Sequence, residues 1–129
     1  MNIAEGCRTA AGVLVLLIGA ALGFGGTQLW RGGPAVWPDI IASAETVRRT
    51  SVGVIAMAVL LLLVGGAVLR NMPWGGRAAA IALLLFLLGG FWANALLFGD
   101  VRPMHTATNV VVSAIIVGLL WFGYAGRGA

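Results

Sequence analysis

The sequence predicts an all-α integral membrane protein, a four-helix bundle of antiparallel up-down topology. Three observations predict it. Four stretches, residues 9–30, 50–69, 78–99 and 103–126, contain no Asp, Glu, Lys or Arg. Each matches the roughly 20 apolar residues that a spanning helix needs at ~1.5 Å rise per residue. Hydrophobic residues make up 60% of the chain and charged residues 9%, and helices apolar on every face do not suit a small soluble fold. The connections between the runs are too short to hold a soluble domain, so one transmembrane domain uses residues 1–129.

The first span carries Gly12, Gly19, Gly23 and Gly26 on one stripe. Small residues let helix backbones approach where lipid supplies no hydrophobic drive for association. The stripe is expected to pack on a helix of this chain or of a neighbour. Gly32-Gly33-Pro34 breaks the helix. Trp37-Pro38-Asp39 offers a new helix start, with Pro in the first turn and an acid near the positive helix end. In the segment 38–49, Ile40, Ile41, Ala44 and Val47 would share one helical face. That segment either lies on the membrane interface or extends the second helix; the lack of a breaker before the second span favours the extension.

The second span closes at Gly65-Gly66 and Arg70, and a turn from Asn71 to Gly76 makes the second and third helices antiparallel neighbours. The third span holds Gly89-Gly90 and Asn94. The fourth carries Ala107, Val111, Ala114 and Gly118 on one stripe, a second small-residue packing face. Trp30, Trp37, Trp74, Trp121 and Tyr124 fall near span ends, where amphipathic rings settle at headgroup level; Trp92 lies deeper.

All eight basic residues are Arg, and the formal net charge is +4. These Arg residues sit at the ends of apolar spans, where they anchor to headgroups, which argues against nucleic acid as a partner. The positive-inside count is a tie. With both termini inside, Arg8, Arg70, Arg77 and Arg127 face Arg31, Arg48, Arg49 and Arg102. The free N-terminal amine tips the expectation toward cytoplasmic termini, in a bacterial inner membrane. Cys7 is the single cysteine and cannot form an internal disulfide; it reads as an inert or lipid-facing thiol. The first apolar run is longer than a signal-peptide core and lacks a small-x-small site, so it is expected to be retained.

Topology gathers Asp39, Glu45, Arg48, Arg49, Asp100, Arg102 and His105 on one side of the membrane. One imidazole among carboxylates could bind a metal or relay protons to a quinone. Solvated loop charges paired with the adjacent Arg residues are the simpler reading, and a single His without a spaced partner is no metal motif. Within the spans the polar groups are Asn94, Thr108, Asn109 and Ser113. Asn94, Thr108 and Asn109 fall at similar depth. Hydrogen bonding among them as helix glue is favoured over a ligand site. Asn94, Asp100, His105 and Asn109 are the ligand-site candidates. No embedded acid is present, which argues against a proton-driven exporter. No GxSxG, acid dyad, P-loop or Cys pair stands in the sequence, and mid-span Met57 has no partner His for haem. No catalytic residue, metal site or resident cofactor is therefore expected.

The layout resembles the DoxX-like four-helix membrane proteins. The resemblance lies in the Gly-rich first helix, the Gly33-Pro34 loop with its amphipathic stretch, the span ending near Gly65-Gly66, the tight Arg-bearing turn and the third apolar span. The run Gly25-Gly26-Thr27-Gln28-Leu29 followed by Gly32-Gly33 is similar to membrane anchors of quinoprotein dehydrogenases. Phe91-Trp92-Ala93-Asn94 stands where those anchors carry an aromatic-acid signature. Both resemblances imply a small membrane subunit linked to quinone-dependent redox enzymes, and neither transfers a catalytic residue. Three functions remain open at this point: a non-catalytic membrane subunit or anchor, a small homo-oligomeric transporter or channel, and a component that binds quinone or lipid. The expected partners are membrane lipids, other membrane subunits, or further copies of the chain.

Overall fold

The computed structural model describes residues 2–37, 39–99 and 103–124, with the side chains of Pro103 and His105 outside the description. Four helices follow in order: α1 (Ile3–Gly32), α2 (Ala44–Leu69), α3 (Gly75–Phe98) and α4 (Pro103–Tyr124). All four contain segments long and apolar enough to cross a membrane, the architecture of an integral membrane protein. Each helix packs on its sequence neighbours, and α4 closes the ring on α1. The α1–α2 interface is the most extensive and the α3–α4 interface the loosest.

Helix α1 starts well before its apolar run. Asn2 caps it, its side-chain oxygen accepting from the Glu5 N–H at 2.7 Å, and Glu5 lies in the first turn where the helix dipole favours an acid. Gly12, Gly19, Gly23 and Gly26 all face α2. A Cβ on Gly12 would lie 2.8 Å from Leu69 Cγ, one on Gly19 3.2 Å from Ala58 O, and one on Gly26 2.8 Å from Ile55 Cγ1. Gly65 of α2 returns the contact, its ideal Cβ position 3.2 Å from Leu16 N. At Gly23 the approach is ordinary, 3.6 Å to Ala58 Cβ.

The first connection departs from the sequence expectation. Helix α2 begins at Ala44, not at Trp37-Pro38-Asp39. Ser43 is its N-cap, accepting from the Thr46 N–H at 3.3 Å. Residues 44–49 thus extend the second span as favoured, whereas residues 40–43 are not helical. The Ile41 N–H instead donates to Leu97 O at the end of α3, at 2.9 Å. Helical periodicity therefore fails to apply across 40–44: Val47 is fully buried, while Ile41 and Ala44 are exposed. Ile40 and Ala42 pack with buried Leu29, Val47 and Leu97 in a small cluster that ties α1, α2 and α3 together at this end.

At the other end, α2 stops in a full Schellman turn. Asn71 adopts φ 60°, its N–H donates to Val68 O, and the Met72 N–H donates to Ala67 O, both at 3.0 Å. Asn tolerates this left-handed conformation better than most residues. The Tyr124 hydroxyl, from the end of α4, donates to Met72 O at 3.0 Å. The larger core cluster lies in this half, with Val15, Leu61, Val68, Leu83, Phe86, Ile116 and Leu120 buried.

The start of α1 and the end of α4 meet at this end: an ideal Cβ on Gly123 would touch Arg8. Labelling should therefore report one side for both. Cys7 and, in a Cys7→Ser background, a Gly128→Cys thiol are expected to react alike with an impermeant maleimide on intact cells; opposite labelling would rule out an even number of crossings.

Candidate functional site

The helices do not fill the end of the bundle where α1 ends and α2 starts. A cavity of about 990 Å³ lies there. Missing side chains create it: Gly25 of α1, Gly53 of α2, and Gly89 and Gly90 of α3 all line it. No atom lies within 4 Å of where a Cβ would stand on Gly25, Gly53 or Gly89. Phe86, Met57, Leu22 and Leu97 supply apolar walls. Ala21, Gly53, Trp92 and Leu96 line the cavity and are themselves exposed, so it opens to the surroundings of the bundle.

Polar groups are graded along its axis. Trp37, Asp39 and Arg49 stand at the rim, with Thr46 and Thr50 on α2. Arg49 donates to Glu45 at 2.6 Å, an exposed i,i+4 pair that steadies the side chain more than the fold. The neighbouring Arg48 guanidinium stacks 4.3 Å over the Trp30 ring, away from the cavity wall. The Thr50 hydroxyl donates to Thr46 O at 2.8 Å. Further in are Asn94 of α3 and Asn109 of α4.

Two of the four ligand-site candidates from the sequence thus meet in one cavity. Asn109 Nδ2 lies 3.8 Å from the ideal Cβ position of Gly90, so its amide reaches across the loose α3–α4 interface. Asp100 lies outside the described residues, and His105 is described by its helical backbone alone. The expected glue among Asn94, Thr108 and Asn109 does not form among the described residues. Thr108 donates instead to Met104 O of its own helix, at 2.8 Å, the usual local competitor for a helical Thr hydroxyl. Neither Asn amide has a protein hydrogen-bond partner among the described residues. Ser113, one turn past Asn109, is 3% exposed and its hydroxyl is also unpartnered there.

Sequence reasoning gathered Asp39 and Arg49 on this side of the membrane but missed Trp37 beside them and the glycines that make the space. The available signal was the depth of Gly25, Gly53 and Gly89-Gly90, each within about two to three turns of the same bundle end. The second small-residue stripe points elsewhere. Ala107, Val111 and Ala114 are exposed, and nothing lies within 4 Å of a Cβ on Gly118. That face of α4 is turned away from the bundle.

No protein-family model matches the chain, and no curated protein or solved structure is significantly similar to it. The likeness to DoxX-like proteins and to quinoprotein dehydrogenase anchors rests on the sequence layout alone.

Proposed function

We propose that this protein is a membrane component that binds an amphiphilic molecule, a lipid or a lipid-like quinone, in the cavity between its helices. The observation that carries the reading is the cavity itself: about 990 Å³, open beside Trp92 and Leu96, apolar along its walls and polar at one end. Ligand sites fall in the range of roughly 300–1,000 Å³, largely apolar with a few convergent polar groups. The residues brought together bind and orient.

The test fills the cavity. Gly53→Leu and Gly89→Leu place side chains where no atom lies within 4 Å of the new Cβ, so the bundle should keep its thermal stability. Native mass spectrometry of gently solubilised protein should then show the retained lipid or quinone reduced about tenfold, the equivalent of ~1.4 kcal/mol of lost affinity. Equal retention by wild type and both variants would remove the cavity from consideration.

One observation favours a second reading, a non-catalytic subunit or anchor of a larger membrane assembly. The outward face of α4 has the small-residue pattern that lets helices approach closely, yet among the described residues no helix of this chain occupies it. Ala114→Leu and Gly118→Leu should leave the isolated chain as stable as wild type and abolish its association with other subunits or copies. Unchanged assembly in both variants would assign that face to lipid.

A further inference from the structure

A second, open hollow adjoins the cavity nearer the middle of the bundle. Ala21, Leu22, Phe86 and Asn109 line both the cavity and this hollow of about 290 Å³, which Ile18 and Val112 also bound. The two share these four residues as a common wall and form adjoining outer and inner lobes of a chamber, with Asn109 at the junction.

Depth along the helices orders this chamber. Thr50 and Asn109 are six residues in from the starts of α2 and α4, and Asn94 is four residues before the end of α3. At ~1.5 Å per residue they form a layer roughly 6–9 Å inside the bundle end. Val112 and Ile18 lie deeper, roughly 14–21 Å from that end by the same rise. Among the described residues, charge lines the cavity at the rim, at Asp39 and Arg49, and Arg49 already holds Glu45 at 2.6 Å. The middle layer offers the half-buried amides of Asn94 and Asn109, which have no protein partner among the described residues. The inner lobe is apolar apart from Asn109.

Resting on the proposed binding role of the cavity, we infer that the chamber takes a single-chain amphiphile with an uncharged hydroxyl or carbonyl head. The head sits at the level of Asn94 and Asn109, and the chain runs past Leu22 and Phe86 into the inner lobe. An amide both donates and accepts without carrying charge, so it matches a hydroxyl or carbonyl. A charged head at that depth would lose its hydration with no opposite charge beside it among the described residues, which is costly in a low-dielectric interior. The volume of the inner lobe, about 290 Å³, suits one chain rather than a two-chain phospholipid. The chain is either straight acyl or branched prenyl.

The experiment uses the whole protein in lipid nanodiscs with a trace of hexadecanol that bears a mid-chain diazirine. Photolysis should place adducts on chamber residues such as Leu22, Phe86 and Val112. Unlabelled hexadecanol or geranylgeraniol should compete, and the better of the two identifies the chain as straight or branched. Hexadecyl phosphate should compete about tenfold more weakly. Asn109→Leu should erase the preference for the alcohol over the phosphate, while Asn109→Gln retains it. Equal competition by hexadecyl phosphate would overturn the neutral head and leave the binding role standing. Adducts confined to outward residues such as Leu84 and Ile115, competed by nothing, would overturn the binding role itself.

Discussion

Gly19→Leu and Gly26→Leu proteins should lose the cooperative unfolding transition of the wild type or unfold at a much lower temperature. A Cβ alone on Gly19 would stand 3.1 Å from Leu62 Cγ and 3.2 Å from both Ala58 O and Leu61 Cβ. One on Gly26 would meet Ile55 Cγ1 at 2.8 Å and Ile55 N at 3.3 Å. Ala58 O and Ile55 N are backbone atoms and cannot rotate aside. The remaining atoms of a leucine can be placed only if α1 and α2 separate. This interface is the most extensive in the bundle, and in lipid its stability comes from close dispersion contact rather than from expelled water. Overpacking a tight core costs about 1–3 kcal/mol; separating the main helix pair should reach the top of that range, roughly 10 °C for a chain of this size. The contrast lies on the same two helices. Gly23→Ala meets only Ala58 Cβ at an ordinary 3.6 Å, and nothing lies within 4 Å of a Cβ on Gly66, so Gly23→Ala and Gly66→Leu should melt near wild type. Scanning fluorimetry in one detergent reads all four variants. Uniform tolerance would mean that α1 and α2 are not packed through this stripe.

The stripe was legible because its repeat is local. Gly12, Gly19 and Gly26 recur at heptad spacing, and the helical period alone puts them on one face. The four spans were legible for a similar reason: a bilayer excludes charge over a fixed length, and the charge-free runs record that length directly. The start of α2 was not. Trp37-Pro38-Asp39 reads locally as a first turn, but the Ile41 N–H is taken by Leu97 O, more than fifty residues away, and α2 starts only after Ser43. Local propensity cannot contain such a bond.

The fourth helix shows another limit. Ala107, Ala114 and Gly118 mark a face able to accept a close neighbour, but the pattern does not say which neighbour. The bundle leaves it outward. The cavity falls between these cases. That Asn94 and Asn109 share a level follows from up-down topology and the helical rise. That the space beside them is hollow follows from glycines on three separate helices, Gly25, Gly53 and Gly89, missing side chains at one height. Each of these glycines, read along its own helix, looks like a packing position. Only their coincidence in space turns packing residues into a site.

Gly123→Ala should destabilise the bundle strongly for a change of a single methyl group. The added Cβ would lie 2.8 Å from Arg8 Cβ and 2.9 Å from Arg8 Cα and N. Two of these three atoms are backbone of the second turn of α1, so α4 has to move outward as a whole. Tyr124 follows Gly123 directly and would be carried with it. Its hydroxyl donates to Met72 O at 3.0 Å, and its ring lies over Gly76, 2.9 Å from where a Cβ would stand. Displacement therefore strains the α1–α4 contact and loosens the tie between α4 and the α2–α3 turn. The expected loss is about 2–3 kcal/mol from overpacking, with about 1 kcal/mol more where the hydrogen bond is lost. Tyr124→Phe separates the two contributions, since it removes the bond to Met72 O and keeps the ring. If Gly123→Ala acts partly through Tyr124, the double variant should cost less than the sum of the single ones. Additive losses would confine the damage to the Arg8 contact. A wild-type melting temperature for Gly123→Ala would show that α1 and α4 do not approach this closely, and the ring of helices would be open at that seam.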